Sequence, residues 1–87
     1  MHITSLVWDA ETIEHVARHG VHPREIEETC RLRPLVRRSH HDRYIVLGQT
    51  DTGRYLTVIV APLGGGRVKV ITARTMSEPE RRQYMRR

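Results

Sequence analysis

RYIVLGQTDTGRYLTVIVAPLGGGRVKVITAR, residues 43–74, is the stretch on which the fold turns. Three runs rich in β-branched residues, Tyr44 to Gln49, Tyr55 to Ala61 and Val68 to Arg74, alternate with two turn signals, Thr50-Asp51-Thr52-Gly53 and Gly64-Gly65-Gly66. Short turns between strand-forming runs predict an antiparallel meander over Tyr44 to Arg74. Leu56, Val58 and Val60 fall on one face of the middle run and Tyr55 and Ile59 on the other, so helices are expected to cover at least one face of the sheet.

The flanking segments predict those helices. Ile3 to Trp8 reads as a short strand, and Asp9 then stands where a helix N-cap belongs, with Trp8 and Ile13 at the spacing of a hydrophobic staple. Ile13, Val16 and Ala17 form an apolar stripe, and Gly20 after His19 is a C-terminal stop. A second helix follows at once, with His22 as cap, Pro23 in the first turn and the acidic group Glu25, Glu27 and Glu28 near its N-terminus, where the helix dipole favours negative charge. Pro34 ends it or starts the strand that follows, Leu35 to Arg38 is a brief extended segment, and Ser39 to Asp42 is a polar turn. At the other end, Ser77-Glu78-Pro79-Glu80 is a capping box that opens a final Arg-rich helix. The predicted order is β, α, α, β, β, β, β, α: an α+β domain spanning 1–87, with two N-terminal helices and one C-terminal helix packed on a small antiparallel sheet.

Charge narrows the function. Fifteen basic residues oppose ten acidic ones, and Lys69 is the sole lysine. Residues 1–30 carry a net −4 and residues 31–87 a net +9. Arg presents a planar fork that grips phosphate through two bonds and stacks on bases, so an Arg-dominated half points to phosphate or nucleic acid more than to general solubility. A lone Cys30 makes neither an internal disulfide nor a CxxC motif, and no run approaches membrane-span length, so a reducing, cytoplasmic setting without membrane contact is expected.

Several landmarks recur together along the chain: Trp8-Asp9, His19-Gly20, Arg43-Tyr44 with Gly48, Gly53-Arg54, Ala73-Arg74, and Glu80-Arg81-Arg82 with Tyr84. In order and spacing this set resembles the BrnT-type ribonuclease toxins of bacterial toxin–antitoxin pairs. The resemblance implies a fold related to RelE-type ribonucleases, metal-independent RNA cleavage that halts translation, and neutralisation by a cognate antitoxin. In such pairs the antitoxin is the DNA-binding partner, so contact of this chain with DNA would be indirect.

Metal-free RNA cleavage needs a group to take the 2′-OH proton, positive donors on the pentacoordinate phosphorus, and a group to protonate the departing 5′-oxygen. Arg54 and Arg74 are the candidates for the phosphorus, because antiparallel pairing of their strands would bring the two strand ends together. Arg74 also precedes the Ser77-capped helix, whose N-terminus is expected to add free N–H groups and a positive dipole end. His19 is the candidate for proton transfer, since an imidazole changes charge near neutral pH; His40 and His41 are reserves. Arg43, Lys69, Arg81 and Arg82 are expected to contact RNA, with Tyr44 and Tyr84 available to stack on bases. His15, His19 and His22 have spacing that can attract zinc, but no HExxH pattern accompanies them, and neither a metal nor another cofactor is expected. The competing class is a non-catalytic module that holds nucleic acid or an acidic protein on the same basic face.

Overall fold

A computed structural model describes residues 2–87. Its elements are β1 (Ser5–Val7), α1 (Ala10–Arg18), α2 (Pro23–Arg31), β2 (Leu35–Arg38), β3 (Tyr44–Gln49), β4 (Tyr55–Gly64), β5 (Arg67–Thr75) and α3 (Glu78–Met85). The strands form one sheet in the order β1-β5-β4-β3-β2. From β2 to β5 it is the expected antiparallel meander. Strand β1 adds a parallel edge to it, pairing Ser5 to Val7 with Arg67 to Lys69, so the sheet is mixed. Parallel pairing of β1 requires a crossover, and the α1–α2 excursion with the meander provides it.

Local chemistry accounts for the helix ends. The Asp9 side chain accepts from Thr12 N at 2.7 Å, and Gly20 adopts φ +71° just beyond the His19 C-cap. Pro23 occupies the first turn of α2, and the Glu25 carboxylate reaches back to His22 N at 3.0 Å. Of the expected apolar stripe on α1, only Val16 is fully buried; Ile13 remains 39% exposed and Ala17 is exposed as well. A helix of 9 residues lying near the sheet edge touches the core through a single turn of side chains.

Each face of the sheet has its own core. On one face, α1 and α2 place Val16, Val21, Ile26 and Cys30 over Val46, Leu56, Val58, Val60, Val68, Val70 and Ala73. On the other, α3 packs Tyr84 against Leu47 and Met76, flanked by Leu35, Ile45 and Tyr55. Without Phe, the first core rests on valine, each fully buried side chain contributing about 1.5 kcal/mol or more. Gly48 lets α2 approach closely: a Cβ built there would stand 2.5 Å from the Thr29 carbonyl oxygen.

A register shift in the β4–β5 hairpin decides which face carries Arg74. Val60 pairs with Val70 but Ile59 pairs with Thr72, so Ile71 is the extra residue of a bulge. Before it, Val68 and Val70 point into the α1/α2 core; after it, Ala73 does. The parity change turns Thr72 and Arg74 toward the α3 face.

Candidate active site

The end of the sheet where β4 begins and β5 finishes gathers most of the residues singled out from sequence. Arg74 lies opposite Thr57, and Arg54 immediately precedes Tyr55, so the two strand ends do coincide. The side chains nevertheless diverge to opposite faces. Arg54 points toward α2, where its Nη1 donates to both Glu25 carboxylate oxygens at 2.9 and 2.8 Å and to the Gly20 carbonyl at 2.9 Å. Arg74 points toward α3. A shared clamp of two guanidinium groups on one phosphate is therefore not what this end of the molecule presents.

Around Arg74 the geometry is tightly specified. Its Nη1 and Nη2 donate to Glu80 Oε1 and Oε2 at 2.7 and 2.9 Å. Glu80 Oε1 also accepts from the Thr57 hydroxyl at 3.0 Å and from Ser77 N at 2.8 Å. The Arg74 fork is the largest influence holding the Glu80 carboxyl down to about 2, against the opposing effect of burial. Reciprocally, the hydrogen bonds from Glu80 stabilise the charged guanidinium and raise the pKa of Arg74. Thr57, fully buried in the sheet, anchors this network, while the Arg74 side chain keeps 44% of its surface exposed. The α3 N-terminus does not offer the open anion site expected of it, because Ser77 Oγ accepts from Glu80 N and the Glu80 carboxylate takes Ser77 N. The capping box takes the Ser77 and Glu80 N–H donors and sets a carboxylate at that end.

Arg81 stacks on Tyr55, its guanidinium carbon 4.1 Å from the ring centroid, beside Arg74 on the same face. Arg82 faces Glu78 at 3.9 Å. Tyr84 is 3% exposed, edge-on to Tyr55, and its ring is covered by Arg87, so it is a core residue and not a stacking platform. Tyr55, half-buried against the same cluster, has its ring covered by Arg81 in the same way.

His19 caps α1 beside Gly20, so the Arg54–Gly20 bond fixes the corner on which it stands. Its ring lies 5.0 Å from that of His15. His15 Nε2 lies 2.9 Å from Thr72 Oγ1, and Thr72 precedes Arg74 by two positions on the same sheet face. From sequence His15 stands out only as a possible metal ligand; its spacing of four from His19 is the signal that also marks it as a partner of that residue. Among the described residues no three His, Cys, Asp or Glu side chains are grouped to hold a metal ion. Burial, and then the nearby Glu27, pushes the Cys30 thiol up to about 12, which disqualifies it as a nucleophile.

Arg43, Tyr44 and Lys69 stand elsewhere. Tyr44 pairs with Val60 and Lys69 with Ala61, five and six residues along β4 from Tyr55, a distance of roughly 17–20 Å. Tyr44 packs against the α1/α2 core, Lys69 faces Asp9 at 3.6 Å, and Arg43 bonds the His41 carbonyl next to His40.

A family model described as "Ribonuclease toxin, BrnT, of type II toxin-antitoxin system" matches residues 8–80. The chain belongs to the BrnT family. The match runs from Trp8 to Glu80 and so includes His15, His19, Arg54, Arg74 and the carboxylate that holds Arg74. The fold is similar to that of the crystal structure of the Brucella abortus ribonuclease toxin BrnT, with 25% sequence identity and a TM-score of 0.69 over 85% of this chain and 97% of that one. No protein of curated function matches the sequence closely enough to count as a relative. BrnT membership makes the chain a ribonuclease toxin of a type II pair, with RNA as substrate and an antitoxin as partner. No helix among the described residues is long and apolar enough to cross a membrane.

Proposed function

We propose that this BrnT-family toxin cleaves RNA without a metal ion at the end of the sheet marked by Arg74, thereby halting translation in the cytoplasm until its antitoxin covers that end. The observation that carries the reading is the Arg74–Glu80 pair: a guanidinium held by two bonds, half exposed, on the α3 face of the sheet beside the Arg81–Tyr55 stack. A donor fixed before substrate arrives stabilises developing phosphorane charge without reorganising. In this reading His19 protonates the departing 5′-oxygen, and Arg81 and Arg82 hold flanking phosphates. Arg43 and Lys69 meet the strand further along, near Tyr44. Arg54 acts by holding the Gly20 corner under His19 and not by touching phosphate. The antitoxin, and not this chain, contacts DNA.

Incubating purified protein with RNA in excess EDTA tests the proposal. Cleavage at sub-stoichiometric protein, leaving 2′,3′-cyclic phosphate ends, is expected. Salt-sensitive binding without products would overturn it in favour of a binding module.

A further inference from the structure

Cleavage of RNA without a metal requires a base as well as an acid, and the edge of β5 holds a pair of groups suited to the first task. Strand β1 covers only Arg67 to Lys69 of that edge. Beyond Lys69 no strand among the described residues pairs with the edge, α1 packs against β5, and His15 brings its Nε2 to 2.9 Å from Thr72 Oγ1. The bulge at Ile71 gives Thr72 the parity of Arg74, and the bond to His15 of α1 holds its hydroxyl at the β5 edge, where the two faces of the sheet meet. A hydroxyl at that edge with an imidazole at hydrogen-bond distance behind it is the arrangement by which a weak acid is activated.

We infer that Thr72 and His15 together form the general base of the reaction, with Thr72 touching the RNA and His15 acting through it. The inference rests on the ribonuclease reading above and deepens it. As the 2′-O–H bond breaks, its proton passes to Thr72 Oγ1, and the Thr72 hydroxyl proton passes to Nε2 of neutral His15. The 2′-oxygen electron pair closes on phosphorus, the bond to the 5′-oxygen breaks, and the 5′-oxygen takes a proton from the His19 imidazolium. Two imidazoles with centroids 5.0 Å apart can thus serve the two sides of one in-line displacement. His15 is a positioning residue in this scheme and Thr72 the catalytic one. On its own helix His15 has His19 and Glu11 one turn away and the Glu14–Arg18 pair beside it; on β5, Lys69, which faces Asp9, stands three positions before Thr72, and Arg74, which is held by Glu80, two positions after it.

The test is the pH dependence of kcat and KM for cleavage by wild type, His15→Gln, Thr72→Val and Thr72→Ser, with circular dichroism confirming the fold of each. His15→Gln and Thr72→Val are expected to lose about 10²-fold or more in kcat with little change in KM, and His15→Gln to lose the acidic limb of the profile. Thr72→Ser, which restores the hydroxyl, is expected to stay within about threefold of wild type. Since His15 is exposed, its replacement leaves the core untouched, and Thr72→Val against Thr72→Ser reads the hydroxyl independently of it. A wild type that cleaves, with folded His15→Gln and Thr72→Val proteins that keep its rate and its acidic limb, overturns the inference alone. A wild type that yields no products overturns the ribonuclease reading and this inference with it.

Discussion

The Glu80 carboxylate receives both arms of the Arg74 fork, and the same carboxylate caps the helix that follows, so the site and the α3 docking share one anion. Glu80 sits in the folded protein at about 2 against an ordinary 4.5. A depressed carboxyl stabilises the fold above its unfolded value, and that stabilisation is lost as pH falls from 4.5 toward 2. Because Arg74 is 44% exposed, screening limits the contribution to about 1–2 kcal/mol. Glu80→Gln is therefore expected to lower Tm at pH 7 by roughly 4–16 °C and to flatten part of the fall in Tm between pH 5 and pH 2. Thermal unfolding across that pH range measures both. An unchanged acid limb would show that the pair carries no stability.

Gly48 supports a sharper steric prediction. A methyl group there meets the Thr29 carbonyl at 2.5 Å and its Cγ2 at 2.8 Å, and the backbone of α2 cannot move aside as a flexible side chain would. Gly48→Ala is expected to cost about 3 kcal/mol, the upper end for overpacking. Gly20→Ala, where nothing lies within 4 Å but φ is +71°, should cost about 1 kcal/mol. Denaturant melts of the two variants decide the order.

Arg54 is predicted to matter first for stability. Its three bonds tie α2 and the Gly20 carbonyl to the start of β4, and its removal leaves the largely buried Glu25 carboxylate short of a partner. Burial raises the Glu25 carboxyl, but the His22 N–H and the Arg54 guanidinium outweigh it, so the net shift is downward. A double-mutant cycle on Arg54→Met and Glu25→Gln should give a coupling energy of about 1 kcal/mol. Zero coupling, with cleavage lost on Arg54→Lys at full stability, would move Arg54 from support to the phosphate.

Much of this architecture is legible in local sequence, because it is fixed by local chemistry. Asp9, Pro23 and Ser77 mark helix starts, and the two turn signals delimit the meander, each through contacts within four residues. Whatever depends on register is not legible. Nothing in Val68 to Arg74 announces that Ile71 is a bulge residue, yet that one residue decides whether Arg74 shares a face with Arg54 or opposes it. The parallel seat of β1 is likewise set by tertiary packing and not by its 3 residues. The same limit hid His15: its relation to Thr72 spans 57 positions. Tyr84 illustrates the converse, since an aromatic residue in an Arg-rich helix reads as a stacking surface until α3 is seen to need an anchor beneath it.

The most direct measurement of the assigned chemistry is the single-turnover cleavage rate and RNA affinity of Arg74→Lys beside wild type, with Tm as a folding control. Lysine keeps the charge but cannot present two parallel N–H donors, so it cannot both hold Glu80 by its fork and face a phosphate in a fixed geometry. Cleavage is expected to fall by about 10²-fold or more, the scale of losing one transition-state donor, while RNA affinity changes only about two- to threefold. An Arg74→Lys protein as well folded and as fast as wild type would contradict the placement of the active site at Arg74.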